Sequence, residues 1–308
     1  MKGTSKIAIY PCLAKGIMVL SLFAGCMKKP HVQKPATDST AGIVSGPHPG
    51  SLPRPGSPIN YDRSKRYVFL TFDDAPQPPG TTNCKNVFFD QGVKATFFLV
   101  GMHVEIDPLR WRIADSLRNG YPQFLIANHS YSHGFRNNYR KYYSEPENAV
   151  QDLLRAQDLL NVAVKIIRLP GSNSWVGGGE NKGPRCTMAV RHLLDSMGYK
   201  VIGWDIEWRR KGSAAPNQSA DEMLKEVNLK FETETTNRPN AIVILAHDRM
   251  FAKPRYVDSL ARFVALLKSD PRNVFETIDH YPLGIPEPYD NNKKETSTMQ
   301  AIYARAGH

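Results

Sequence analysis

The chain is 308 residues long, with 41% hydrophobic and 10% aromatic residues, enough to bury a sizeable core as one large domain or two small ones. Its 40 lysines and arginines against 29 aspartates and glutamates give a formal net charge of +11. These basic residues form no stripe and no arginine-rich tract, which argues against a nucleic-acid-binding protein. The excess charge suits solubility or an anionic envelope polymer.

At the N-terminus, Lys2, Lys6 and Lys15 precede an apolar stretch over 16–25, and Cys26 follows. A charged region, a short apolar region and small residues are the parts of a secretory signal, and the stretch is too short to span a bilayer comfortably. Leu22-Phe23-Ala24-Gly25-Cys26 resembles a bacterial lipobox, with Phe23 where Leu, Val or Ile is usual. The expectation is a signal over 1–26, a lipid on Cys26 and a cell-envelope lipoprotein, facing the periplasm or the cell surface. Residues 27–64 are rich in Pro, Ser and Gly and read as a disordered tether. Of the four cysteines, Cys84 and Cys186 remain in the mature domain; in an oxidising envelope they either pair or stay free.

From 65 to 285 strand-like runs alternate with amphipathic stretches. The strands are expected at 67–72, 95–100, 124–127, 165–169, 199–204, 241–246 and 274–278, and the helices near 83–92, 106–119, 146–162, 187–197, 219–233 and 255–269. Gly92, Gly120 and Gly198 close three helices. This alternation predicts an α/β fold, an irregular (β/α) barrel of about seven parallel strands, with its chemistry at the C-terminal strand ends. Residues 286–308 are polar and read as a tail. The run Gly177-Gly178-Gly179 lacks a phosphate-binding lysine pattern and reads as a flexible loop.

The polar motifs all follow strands. Thr71-Phe72-Asp73-Asp74 ends the first, and His129-Ser130-Tyr131-Ser132-His133 follows the third, about 55 residues on. Two imidazoles and one carboxylate are the usual protein share of an open catalytic zinc site, and an adjacent carboxylate can take a proton from water. Consecutive residues of a strand point to opposite sides, so only a turn brings Asp73 and Asp74 to one site. Asn128 reads as a cap or as a donor to a ligand. Arg168, in Arg168-Leu169-Pro170-Gly171, reads either as the bidentate partner of a catalytic aspartate or as a surface arginine. Trp204-Asp205-Ile206-Glu207-Trp208 offers carboxylates that can tune a histidine, and indoles that either stack on sugars or fill the core. His247 ends the sixth strand and, placed opposite the base, can protonate a leaving amine. Leu245 suits a small apolar niche for an acetyl methyl group.

Together these segments resemble the polysaccharide deacetylases of carbohydrate esterase family 4, the NodB homology group. Thr71-Phe72-Asp73-Asp74-Ala75-Pro76 is similar to that family's Thr-Phe-Asp-Asp-Gly-Pro, and His129–His133 to its His-Ser/Thr-x-x-His. Lys94–Gly101 is similar to its second strand. The resemblance implies a distorted barrel over about 66–280. It implies Asp73 as base, Asp74, His129 and His133 as ligands of a divalent ion (most often Zn2+, with Co2+ or Ni2+ as alternatives), Arg168 as support of the base and His247 as acid. Gly171 would donate its N–H to the oxyanion, and Leu245 and Trp208 would contact substrate. Either Asp205 or Glu207 stands where the family has the aspartate that tunes the acid. Ala75 and Gly134 replace a usual Gly and Pro, and Gly171 stands where many members carry an aromatic residue. The implied activity is removal of N-acetyl groups from an amino-sugar glycan, of peptidoglycan or chitin type, by a monomer. An O-acetyl esterase of xylan type and a non-catalytic glycan-binding lipoprotein are the alternatives.

Overall fold

The computed structural model describes residues 54–212 and 215–283. The signal, Cys26, most of the tether and the 286–308 tail lie outside the described residues. The described residues form twelve strands: β1 (Arg66–Ala75), β2 (Ala95–Leu99), β3 (Phe124–Asn128), β4 (Ile166–Ile167), β5 (Trp175–Gly177), β6 (Glu180–Lys182), β7 (Lys200–Val201), β8 (Ile206–Glu207), β9 (Arg210–Lys211), β10 (Ala215–Pro216), β11 (Ala241–His247) and β12 (Asn273–Phe275). Ten of them form one curled sheet in the order β6-β5-β7-β4-β3-β2-β1-β11-β8, with β12 also on β1. β9 and β10 make a separate small hairpin. The long helices are Gly80–Gln91, Pro108–Arg118, Pro146–Leu159, Met188–Ser196, Ala220–Glu232 and Pro254–Lys268.

The α/β expectation holds: the central pairings β1–β2, β2–β3, β3–β4, β4–β7, β1–β11 and β11–β8 are all parallel. The seven expected strands are present, several of them shorter than expected, and β5, β6, β8, β9 and β10 are additions. The glycine run is no flexible loop. Gly178 and Gly179, at φ +59° and +82°, form the two-residue turn that joins β5 to β6. Two successive positive-φ residues match the right-handed strand twist of a tight hairpin, and glycine reaches them without strain. β5 runs antiparallel to both of its neighbours, and β6 finishes that edge of the sheet.

The central strands are buried on both faces, as their near-continuous apolar sequences require. Phe69, Phe72, Phe88, Phe97, Phe124 and Phe251 fill the core, and Phe72 touches three other rings. The domain also starts earlier than composition suggested. Residues assigned to the tether dock on it: Tyr61 packs against the Tyr67 ring and the Gly56 amide donates to Asp279. Cys84 is buried, Cys186 is exposed, and both are free, so the open question of a bridge is answered against it.

Candidate active site

The site is made by strand register. Asp73 and His247 are paired residues on β1 and β11. Asn128 is paired with Ile167 across β3 and β4, which brings His129 and Arg168, the next residues of each strand, abreast. The two aspartates reach one side because the β1–β2 register shifts between Phe72 and Ala75 and Asp74 takes φ +71°. An irregularity of this kind re-aims a side chain that a regular pleat would send to the other face. The second histidine is held in a similar way. His133, Gly134, Phe135, Arg136 and Asn137 all have positive φ, a left-handed turn entered through Ser130 at φ +70°. The Ser132 hydroxyl accepts from the Phe135 amide and the Ser132 amide donates to Asp152, which fixes the turn's entry.

Asp73, Asp74 and His129 are each less than 5% exposed. Arg168 is fully buried; it donates to Asp73 Oδ1 at 2.9 Å and to Thr71 Oγ1 at 2.8 Å. Its other nitrogens donate to the carbonyls of Ile202 and Gly203, and the guanidinium lies over the Phe98 ring. The pair with Asp73 is therefore single-armed, not the bidentate fork expected from sequence, because the strand-end carbonyls beyond Ile202 claim the remaining donors. It still fixes one oxygen of Asp73 and leaves the other toward His129 Nε2, 3.6 Å away.

Asp74, His129 and His133 each present one ligand atom within 4.8 Å of the others. His129 Nδ1 lies 2.8 Å from the Arg168 carbonyl, which can only accept, so the proton sits there and Nε2 offers a lone pair. That lone pair faces the carboxylates of Asp73 and Asp74. Asp74 Oδ1 is buried 3.0 Å from His133 Nε2, yet it accepts no well-angled hydrogen bond. Lone pairs converging on a buried carboxylate repel one another unless a cation lies among them, so these residues fit a divalent metal ion. Burial pushes Asp74 up, but the close His133 and the fields of His129 and His247 outweigh it and hold the carboxyl well below its ordinary range. Burial holds His129 below the ordinary imidazole value despite the Asp73 charge. For His133 burial acts in the same direction, but Asp74 outweighs it and the net shift is upward.

These groups line a cavity of about 320 Å³ with Tyr139, Gly171, Trp204, Glu207, Leu245 and His247. His247 is held below its ordinary value mainly by burial, and its Nδ1 is buried without a hydrogen-bond partner. Gly171 takes φ +63°, and its N–H donates to no group among the described residues.

Two expected residues are elsewhere. Asp205 does not reach His247: its oxygens accept from the Asn237 and Val243 amides, tying β8 to β11. Of the two carboxylates considered for tuning the acid, only Glu207 lines the cavity. Trp208 is core, 1% exposed, with its indole N–H on the Gln218 carbonyl and its ring against Phe251 and Phe263. Trp204 takes the cavity position instead. Sequence reasoning also missed Tyr139, Arg210 and Arg249 in the lining. Arg249 stands two residues beyond His247, a signal that was available; Tyr139 opens a six-residue helix and Arg210 a two-residue strand, both too short for periodicity to be read.

A curled parallel sheet with a buried carboxylate–imidazole cluster, an arginine-held aspartate and a facing histidine at its strand ends has the form of a metal-assisted hydrolase. Residues 60–175 match the model of the polysaccharide deacetylase family. Among its relatives is a peptidoglycan-N-acetylglucosamine deacetylase of Bacillus cereus, 24% identical over 208 residues that cover 67% of this chain and 83% of the relative. A chitin disaccharide deacetylase of Vibrio alginolyticus is 22% identical over 311 residues, covering 71% and 72%. The solved catalytic domain of a peptidoglycan N-acetylglucosamine deacetylase from Eubacterium rectale shares the fold at a TM-score of 0.52 and 19% identity, over 75% of this chain and 96% of that one.

Proposed function

We propose that this protein hydrolyses N-acetyl groups from amino sugars of a peptidoglycan- or chitin-type glycan. The observation that carries this reading is the convergence of Asp73, Asp74, His129, His133 and His247 at one cavity, with the buried Arg168 paired to Asp73. The relatives named above supply the glycan class. Asp74, His129 and His133 would hold the ion; its identity is an expectation from the family, Zn2+ first, then Co2+ or Ni2+. When bound, such an ion polarises a carbonyl and lowers the pKa of water. Asp73, oriented by Arg168, takes the proton of the attacking water as the new C–O bond forms. The Gly171 N–H is the donor available to charge developing on the carbonyl oxygen. Leu245 offers an apolar wall to the methyl group. His247 gives a proton to the nitrogen as the C–N bond breaks, releasing acetate and a free amine.

The test is acetate release from N-acetylglucosamine oligomers and from peptidoglycan, with metal supplied or chelated, beside acetyl-xylan. Metal-dependent release from the amides is expected. Release from acetyl-xylan alone would establish an esterase instead, and no release with metal bound would leave only a glycan-binding role. Asp73→Asn should reduce turnover by at least about 100-fold with metal content unchanged, since Asp73 is base and not ligand. Near-normal turnover in that variant would overturn the assignment.

The same proposal places the domain at a membrane through a lipid on Cys26, supported by the lipobox-like segment. Cys26→Ser should shift the protein from the membrane to the soluble fraction; an unchanged distribution would remove the anchor from the reading.

A further inference from the structure

Two guanidiniums line the cavity without a part in the hydrolysis. Arg249 follows His247 on a short helical turn, and Arg210 opens the β9–β10 hairpin, which packs against that turn. Arg249 reaches Asp74 Oδ2 at 3.3 Å, and its Nε is buried without a partner. Arg210 is exposed, and among the described residues no carboxylate lies within ion-pairing distance of it. Its field nevertheless reaches Glu207, Tyr139 and His247, three groups around the cavity.

The charge balance indicates what these two residues are for. Asp73, Asp74 and Glu207 are offset by Arg168, Arg210 and Arg249, so a divalent ion on Asp74 leaves the loaded cavity net positive. Arg249 meets Asp74 through Oδ2, the oxygen that His133 does not meet, and its Nε stays without a partner. A neutral acetamido sugar gains nothing from such an excess, and covering an unpaired guanidinium with it sacrifices hydration. A carboxylate satisfies it, because the planar fork of arginine matches two carboxylate oxygens.

We propose that Arg210 and Arg249 form a carboxylate-binding wall, and that the substrate is an acidic glycan with a carboxylate on the reacting sugar or on its immediate neighbour. This rests on the deacetylase reading above and narrows it.

The experiment uses the full chain loaded with zinc, together with its Asp73→Asn form, which binds without turnover. The probes are neutral N-acetylglucosamine tetramers, peptidoglycan glycan fragments with free muramic carboxylates, the same fragments as methyl esters, and tetramers bearing phosphate. Affinity is read by calorimetry on the Asp73→Asn protein, and KM and kcat on the wild type. Free-acid fragments should bind about 10-fold or more tighter than their esters, with the difference in KM and not in kcat. The gap should shrink as salt is raised. Arg210→Gln should abolish it, and Arg249→Lys, which keeps charge but loses the fork, should reduce it. Equal affinity for acid and ester, or a preference that survives Arg210→Gln, would overturn the proposal. Tighter binding of the phosphorylated tetramer than of the free-acid fragment would overturn the carboxylate assignment. Absence of acetate from every probe would sink the deacetylase reading while leaving the calorimetric comparison of acid and ester intact.

Discussion

His129 and His133 hold protons differently, and the difference is measurable. Burial keeps His129 below the 6.5 of a free imidazole, whereas Asp74 lifts His133 above it. At pH 6.5 the metal-free site therefore carries its proton mainly on His133, and a cation must displace that one. Zinc binding at this pH should release about one proton, measured by calorimetry in buffers of different ionisation enthalpy. Release of two would show that both imidazoles are charged in the empty site. His247 makes a second prediction. An acid is needed only when the leaving group is a poor one, so His247→Ala should lose about 100-fold or more in amide turnover while retaining most hydrolysis of an aryl acetate. Equal losses on both substrates would make His247 a structural residue. At this scale Asp73, Asp74, His129, His133 and His247 were legible in the sequence because each closes an apolar run or follows its end. Asp205 and Trp208 were misjudged because alternation along two residues of β8 does not tell which side faces the cavity. Only the pairing of β8 with β11 decides that.

The elements that position the ligands are the irregular ones. The bulge in β1 and the left-handed turn over 133–137 hold Asp74 and His133 at backbone angles costing about 1–2 kcal/mol per residue outside glycine. Gly134 relieves one of these positions, and a Cβ there would lie 2.8 Å from the Tyr139 ring. Gly134→Ala should therefore destabilise the fold by about 1–3 kcal/mol, lowering Tm by roughly 2–4 °C per kcal/mol. Because the turn carries His133, zinc affinity should fall as well, by roughly tenfold for each 1.4 kcal/mol that strains the ligand. A variant with the lower Tm and undiminished zinc affinity would show that the turn stabilises the domain without orienting the ligand. Regular elements were readable from periodicity, and the six long helices lie close to where amphipathic spacing put them. The left-handed turn was not readable, since His-Gly-Phe-Arg-Asn has no period and only its glycine hints at positive φ. The β5–β6 hairpin was missed for the opposite reason, its three glycines being equally compatible with a loose loop.

Across the whole molecule, the site joins parts of the sheet that have no other direct link. Asp74 leaves β1, the histidines follow β3, and β2 lies between them. A cation held by all three is thus a cross-link over the C-terminal edge of the sheet. In its absence the same atoms leave a buried carboxylate oxygen without a well-formed hydrogen bond beside two imidazoles. A ligand that binds only the folded chain stabilises it by about 2.7 kcal/mol at one hundred times its Kd. For a domain of this size each kcal/mol moves Tm by about 2–4 °C. Chelation should accordingly lower Tm by roughly 5–10 °C at saturating starting zinc, and readdition should restore it. His133→Ala should start from the lower Tm and respond little to either treatment, because Asp74 and His129 alone leave the ion only two of its three protein ligands. A chelation shift that persists in His133→Ala would place the stabilising ion elsewhere, and no shift in the wild type would mean that the cluster does not hold zinc at all.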